Sequence, residues 1–120
     1  MKRDVTLFLE DIIKQIELIE KSIEGIEKNE FLKNKDLQDA TVRRLEIIGE
    51  ATKNIPESIR KKHPAIEWKK IAGIRDIIIH AYFELDLDLI WDVIKNKLYA
   101  LKKKIKAILE EESILTDKNN

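Results

Sequence analysis

Residues 68–86 read WKKIAGIRDIIIHAYFELD. Trp68, Ile71, Ala72, Ile74, Ile77, Ile78, Ile79, Ala81 and Tyr82 fall on nearly every side of a helix drawn over about 67–82. A helix apolar all round belongs at the centre of a bundle. Arg75, Asp76 and His80 interrupt that apolar surface. Charges in such a place are costly unless paired, so all three require partners. Asp76 and His80 stand one turn apart, and an i, i+4 carboxylate can hold an imidazole. Arg75 and Tyr82, seven apart, share another face. Arg75 and His80 are five apart, about 140° around a regular helix at 100° per residue. They meet on one ligand only if the helix loosens near His80 or if a second copy completes the site. The second route predicts a homodimer with a composite cleft.

The flanking segments extend the helical reading. Val5, Leu9, Ile12, Ile16, Ile19, Ile23 and Ile26 are spaced 4, 3, 4, 3, 4, 3, one stripe on a helix of about 4–28 with Asp4 as N-cap. Gly25 near its end favours fraying. The polar connection KNEFLKNKD follows, and Asp36 opens a second helix with Leu37, Ala40, Thr41, Leu45, Ile48, Ala51 and Ile55 inward. Gly49 there, and Gly73 in the third helix, permit close packing of another backbone. Pro56 starts a short helix over 56–62, ended before Pro64. FELD is too short for anything but an antiparallel return. Asp86 caps the last long helix, whose stripe is Leu87, Trp91, Ile94, Leu98, Leu101, Ile105 and Ile108. The expectation is an all-α, antiparallel bundle of four main helices plus one short helix. It forms a single domain over 1–120, with frayed tails at 1–3 and about 113–120.

Composition narrows the functional classes. The chain has 120 residues, 23 basic and 23 acidic. Zero formal net charge argues against a bulk electrostatic grip on nucleic acid, though not against a local patch. Without cysteine, thiolate catalysis, disulfides and cysteine–zinc sites are excluded. The two histidines, His63 and His80, are too far apart for metal-ligand spacing, so no metal and no cofactor is expected. Charge interrupts the first apolar stripe every few residues, unlike a signal peptide, and no stretch spans a bilayer. A cytoplasmic protein with no membrane role is the expectation. His63 before Pro64 reads as an exposed loop residue. Arg43, Arg44, Arg60–Lys62 and Lys102–Lys104 with Lys106 could touch phosphate. The lysines between heptad positions read better as a solvated face. Trp68 and Trp91 read as packing.

The run RDIIIHAYFELD has the form Arg, four residues, His, one residue, Tyr. With WKKIAGI before it, LDLIWDVI after it and RRLEIIGEATKNIP upstream, the chain resembles the HepT-like branch of the HEPN superfamily over about 4–108. Arg-x4-His alone is a weak pattern; with the tyrosine and the flanking segments it is specific. The resemblance implies a helical homodimer with the motif residues of both chains lining a cleft. It implies a metal-independent endoribonuclease, the toxin of a toxin–antitoxin pair. Its antitoxin would be a minimal nucleotidyltransferase (MntA-like) that adenylylates the motif tyrosine. Carried over, Arg75 and His80 are the catalytic pair, Asp76 supports them, Tyr82 is the modified residue and RNA is the substrate.

That chemistry suits the side chains. Attack by a ribose 2′-hydroxyl needs a group that exchanges a proton near neutral pH, which imidazole supplies. It also needs fixed positive charge against the phosphorane, which guanidinium supplies. The competing readings are structural. His80 would be held by Asp76, Arg75 paired with Glu46 or Glu50, and Tyr82 would cap the core with its hydroxyl wet. A function of another class also remains: a non-catalytic helical module that binds a nucleotidyltransferase, with Tyr82 as a modified docking residue.

Overall fold

The computed structural model describes residues 3–119, with side chains from Val5 to Glu112. The first helix begins at Arg3, so Asp4 lies inside it and does not cap it, and the last helix runs through most of the expected C-terminal tail, to Asn119. The described residues fold as helices α1 (Arg3–Ser22), α2 (Lys28–Lys33), α3 (Lys35–Lys53), α4 (Glu57–Lys62), α5 (Trp68–Ala72), α6 (Ile74–Phe83), α7 (Leu87–Asn96) and α8 (Leu98–Asn119). The all-α bundle expected from periodicity is what the chain forms.

The first stripe is buried as its spacing requires: Leu9, Ile16 and Ile19 are fully enclosed. The helix stops earlier than expected, at Ser22. Gly25 adopts φ +72°, a left-handed turn that glycine enters without a Cβ clash. The polar connection beyond it is itself partly helical. In α2, Glu27 and Glu30 form a reciprocal capping box, and Phe31 is fully buried with its ring 5.2 Å from that of Trp91. Burying one such ring contributes about 1.5–3 kcal/mol, enough to fix a six-residue helix against α7. Asn34 closes α2 and caps α3, its side chain accepting the Leu37 N–H at 3.0 Å. The cap is therefore Asn34 and not Asp36, which lies in the first turn of α3.

The centre of the bundle is α3, which packs on α1, α2, α5 and α6. The sequence assigned that position to the helix over 67–82. That segment instead lies at the surface and is divided at Gly73 into α5 and α6. Ile78 and Ala81 face the core, whereas Ile77, Ile79 and Phe83 are exposed. The division has a local cause. The backbone at Gly73 flattens to ψ −1°, and the joint sits opposite Gly49 of α3. A Cβ on Gly49 would stand 3.2 Å from Ile74 Cγ2 and 3.4 Å from the Arg75 nitrogen, so Gly49 is the close-packing glycine. Gly73 meets only its own helix and serves as the joint.

The last long helix is also divided, into α7 and α8 at Lys97. Asp86 caps α7 as expected, accepting the Leu89 N–H at 3.3 Å. Against α1, α8 runs antiparallel: Lys102 reaches Glu20 at 2.5 Å and Lys106 reaches Glu17 at 3.5 Å. Lys102 is thus half-buried, and its pKa is raised from 10.5 chiefly by the hydrogen bond to Glu20. Lys103, Lys104 and Lys106 are exposed, as a solvated face requires. His63 departs from the reading as an exposed loop residue. Its side chain is only 14% exposed, tucked beneath α8 within 4.0 Å of Glu111 and 3.8 Å of Glu112. Trp68 is buried and donates its indole N–H to the His63 carbonyl at 2.9 Å; it and Trp91 are packing residues. No helix among the described residues is long and apolar enough to cross a membrane.

Candidate functional site

Arg75, Asp76, His80 and Tyr82 all stand on α6, a regular helix from Ile74 to Phe83. It does not loosen near His80. The 140° between Arg75 and His80 therefore persists, and one chain does not bring the two together.

Arg75 and Tyr82 face α3. Arg75 Nη1 lies 3.3 Å from Glu50 Oε1, one of the two partners its charge suggested, and both side chains are about half exposed. Glu50 also meets Lys53 at 3.5 Å. Tyr82 meets Asp39, eleven residues before Glu50 on the same helix. As α6 advances from 75 to 82, its partners on α3 retreat from 50 to 39, so the two helices run antiparallel.

His80 faces away from α3. Its nearest acid is Glu84, at 3.4 Å from Nε2, one turn further on, and not Asp76. The structural pairing of His80 with Asp76 is therefore not made. The His80 side chain is 75% exposed. Its i−3 and i+3 neighbours, Ile77 and Phe83, are exposed apolar residues. Leu85 and Leu89, just beyond the end of α6, extend the apolar surface. The turn between α6 and α7 is strained. Leu85 adopts φ +60°, and the bonds Asp86 N–H to Ala81 O and Leu85 N–H to Tyr82 O close the helix end. Leucine in the left-handed region costs about 1–2 kcal/mol relative to an ordinary conformation.

Tyr82 is partly buried and fully partnered. Its hydroxyl donates to the Asp39 carboxylate and accepts from the Lys35 ammonium. Lys35 and Asp39 meet each other at 3.0 Å, and Lys35 Nζ stands 4.5 Å from the centre of the Tyr82 ring. The reading of Tyr82 as a core cap with a wet hydroxyl is thus replaced by a three-residue cluster. The hydrogen bond from Tyr82, then that from Lys35, lowers the Asp39 pKa from 3.8. The hydrogen bonds to Tyr82 and then Asp39 raise that of Lys35 from 10.5. Beside the cluster a groove of about 350 Å³ runs between α3 and α6, with Asp39, Arg43, Ile79, Tyr82 and Phe83 in its walls. Sequence reasoning missed Lys35 and Asp39. They are i, i+4 on an exposed stretch, and nothing in the pattern links them to a tyrosine 47 and 43 positions on.

A second groove, about 860 Å³, lies along α4 and α5. Lys61, Lys69 and Lys70 line it with Glu57, Glu67 and Arg60. Arg60 is committed to the backbone there, donating to the Ile55 and Thr52 carbonyls at 3.0 and 2.8 Å.

Comparison with known proteins bears on this arrangement. The family described as "Ribonuclease HepT-like" matches residues 12–108, which include α3, the whole of α6 and every residue of the Tyr82 cluster. The chain is 44% identical over 108 residues to "Probable ribonuclease HepT" of Thermococcus cleftensis, covering 90% of this chain and 98% of that protein. It is 45% identical over 120 residues to "Gamma-glutamylcyclotransferase and putative RNase MJ0434" of Methanocaldococcus jannaschii. That match covers all of this chain but 53% of the relative, so the chain spans about half of that protein's length. No solved structure matches. A helical bundle that presents Arg-x4-His-x-Tyr on α6, matched over residues 12–108, belongs to the ribonuclease HepT-like family.

Proposed function

We propose that the chain is a metal-independent endoribonuclease that works as a homodimer. The observation that carries the reading is the state of Arg75 and His80. Both are exposed on one helix, held only by acids at 3.3 and 3.4 Å across solvent-facing pairs. Neither is spent on the core. The homodimer is supported by the 140° between them and by the exposed apolar residues Ile77 and Phe83 on either side of His80. A second copy seated on that face buries the apolar surface and brings its own Arg75 toward the first copy's His80.

In this mechanism His80 takes the proton of the ribose 2′-hydroxyl, whose oxygen attacks the adjacent phosphorus. Arg75 faces the charge that builds on the phosphorane oxygens. The bond to the 5′-oxygen breaks, its electron pair stays on that oxygen, which takes a proton from water, and a 2′,3′-cyclic phosphate and a 5′-hydroxyl remain. Proton transfer of this kind contributes about 10²–10⁴-fold in rate. Asp76, next to Arg75 on the same exposed turn of α6, is the supporting residue of the site.

The biological setting that fits is a toxin–antitoxin pair. A minimal nucleotidyltransferase antitoxin adenylylates Tyr82 and brings a bulky negative phosphate to the cleft, blocking RNA by sterics and by charge. The test is RNA cleavage by the purified, unmodified chain in excess EDTA, with Arg75→Ala and His80→Ala alongside. Cleavage that survives EDTA and is lost in both variants supports the reading. A folded, unmodified dimer that leaves RNA intact supports the other function instead, a non-catalytic module that docks the transferase.

A further inference from the structure

The Tyr82 hydroxyl is held between a carboxylate and an ammonium, which is more than a tyrosine needs to stay in place. We propose that Asp39 and Lys35 make Tyr82 Oη the nucleophile of nucleotidyl transfer: Asp39 removes its proton and Lys35 faces the charge left behind. The inference rests on the reading of Tyr82 as the modified residue and adds the groups that make it reactive.

The geometry supplies each part. The phenolic hydrogen already points at Asp39, so the proton has an acceptor within the same chain. Lys35 donates to the same oxygen from another direction, leaving a lone pair for attack. The groove of about 350 Å³ opens beside the oxygen, with Phe83 88% exposed as a surface for a base and Arg43, in an exposed pair with Glu46 at 3.6 Å, able to turn to a phosphate. The transferase holds the nucleoside triphosphate. Tyr82 Oη forms a bond to its α-phosphorus, and the bond to the bridging oxygen of the pyrophosphate breaks. The pyrophosphate leaves with that electron pair, and the phenolic proton passes to Asp39 and then to water.

The product changes the cluster. The phosphodiester oxygen has no hydrogen for Asp39, and its phosphate is negative beside the Asp39 carboxylate. Lys35 changes partner from phenol to phosphate, and the hold of Tyr82 on Asp39 is released. Modification thus moves the tyrosine off Asp39 and into the groove.

The experiment measures transfer to the full chain by a purified minimal nucleotidyltransferase, with ATP, by intact mass and by peptide mapping to Tyr82. The variants are Asp39→Asn, Asp39→Glu and Lys35→Gln. All replace exposed side chains, and thermal unfolding verifies that they fold. The expected result is a fall of about 10²-fold in the Asp39→Asn rate near neutral pH, the low end of general-base contributions, with KM for ATP unchanged. That deficit closes as pH rises toward the ordinary ionisation of a phenol, near 10. Asp39→Glu regains part of the rate, and Lys35→Gln slows it. A merely structural loss lowers the rate by one factor at every pH. Wild-type loading on Tyr82 with Asp39→Asn equally fast overturns the inference and leaves the modification reading standing. Wild-type chain that takes no nucleotide on Tyr82 overturns both.

Discussion

Arg75 of α6 reaches across to Glu50 of α3, Nη1 to Oε1 at 3.3 Å, one residue beyond the glycine that lets the two helices touch. The pair is poised and weak. Its members are 45% and 51% exposed, so the guanidinium can leave Glu50 for a phosphate without uncovering a buried charge.

That exposure sets the first prediction. Glu50→Ala and Arg75→Ala each change the free energy of unfolding by less than about 1 kcal/mol, as exposed ion pairs do. Urea denaturation reads this directly. A loss of about 3 kcal/mol or more would mean a buried pair, whose broken partner is costly, and would return Arg75 to a structural role.

The joint between α5 and α6 gives a second prediction from two glycines with opposite surroundings. Gly73 has room for a Cβ and an ordinary right-handed φ of −85°, so Gly73→Ala stabilises the chain by about 0.4–1 kcal/mol. Gly49→Ala pushes a methyl toward Ile74 and the Arg75 backbone and destabilises by about 1–3 kcal/mol. It also displaces Arg75, so its cleavage rate falls while that of Gly73→Ala holds. Paired thermal melts and cleavage assays check the two signs.

A third prediction concerns the short helix that the polar run KNEFLKNKD conceals. Phe31→Ala empties the fully buried space against Trp91 and costs about 3–5 kcal/mol. A cost under 1 kcal/mol would mean that α2 is a loop after all.

The Tyr82 cluster has a pH signature. Asp39 titrates below 3.8 because Tyr82, and then Lys35, bind its charged form. A depressed folded-state value stabilises the fold above 3.8, and that contribution disappears as pH falls through the lowered value. Carboxyl NMR should therefore place the Asp39 midpoint below 3.8, and Tyr82→Phe should move it back up. An Asp39 midpoint unmoved by Tyr82→Phe would contradict the hydrogen bond.

These relationships were legible in the sequence to different depths. The heptad stripes reported buried faces well: Leu9, Ile16, Ile105 and Ile108 are all enclosed. The cap at Asp86 and the close approach at Gly49 were also legible, because each is a local rule. The position of α6 was not. Its isoleucines were read as burial on every side, but Ile77 and Ile79 are exposed in the single chain. Periodicity records that a face is apolar; it does not record whether the same chain or a second copy covers it. Phe31 was hidden because one aromatic among lysines and asparagines carries no period. Lys35 and Asp39 were hidden because their partner lies 47 and 43 positions away. The candidate residues on α6 come from the motif, whereas their neighbours on α3 come from the fold.

The proposed ribonuclease site takes Arg75 from one copy and His80 from the other. Arg75→Ala and His80→Ala chains are each assayed on RNA in excess EDTA, then unfolded together, refolded as a mixture and assayed again. Each variant alone is inactive. Half of the dimers in the mixture pair one variant with the other, and each of those retains one intact composite site, so cleavage returns to about a quarter of the wild-type level for a two-fold dimer. A mixture as inactive as its parents, with mixed dimers verified by mass, would contradict the composite site.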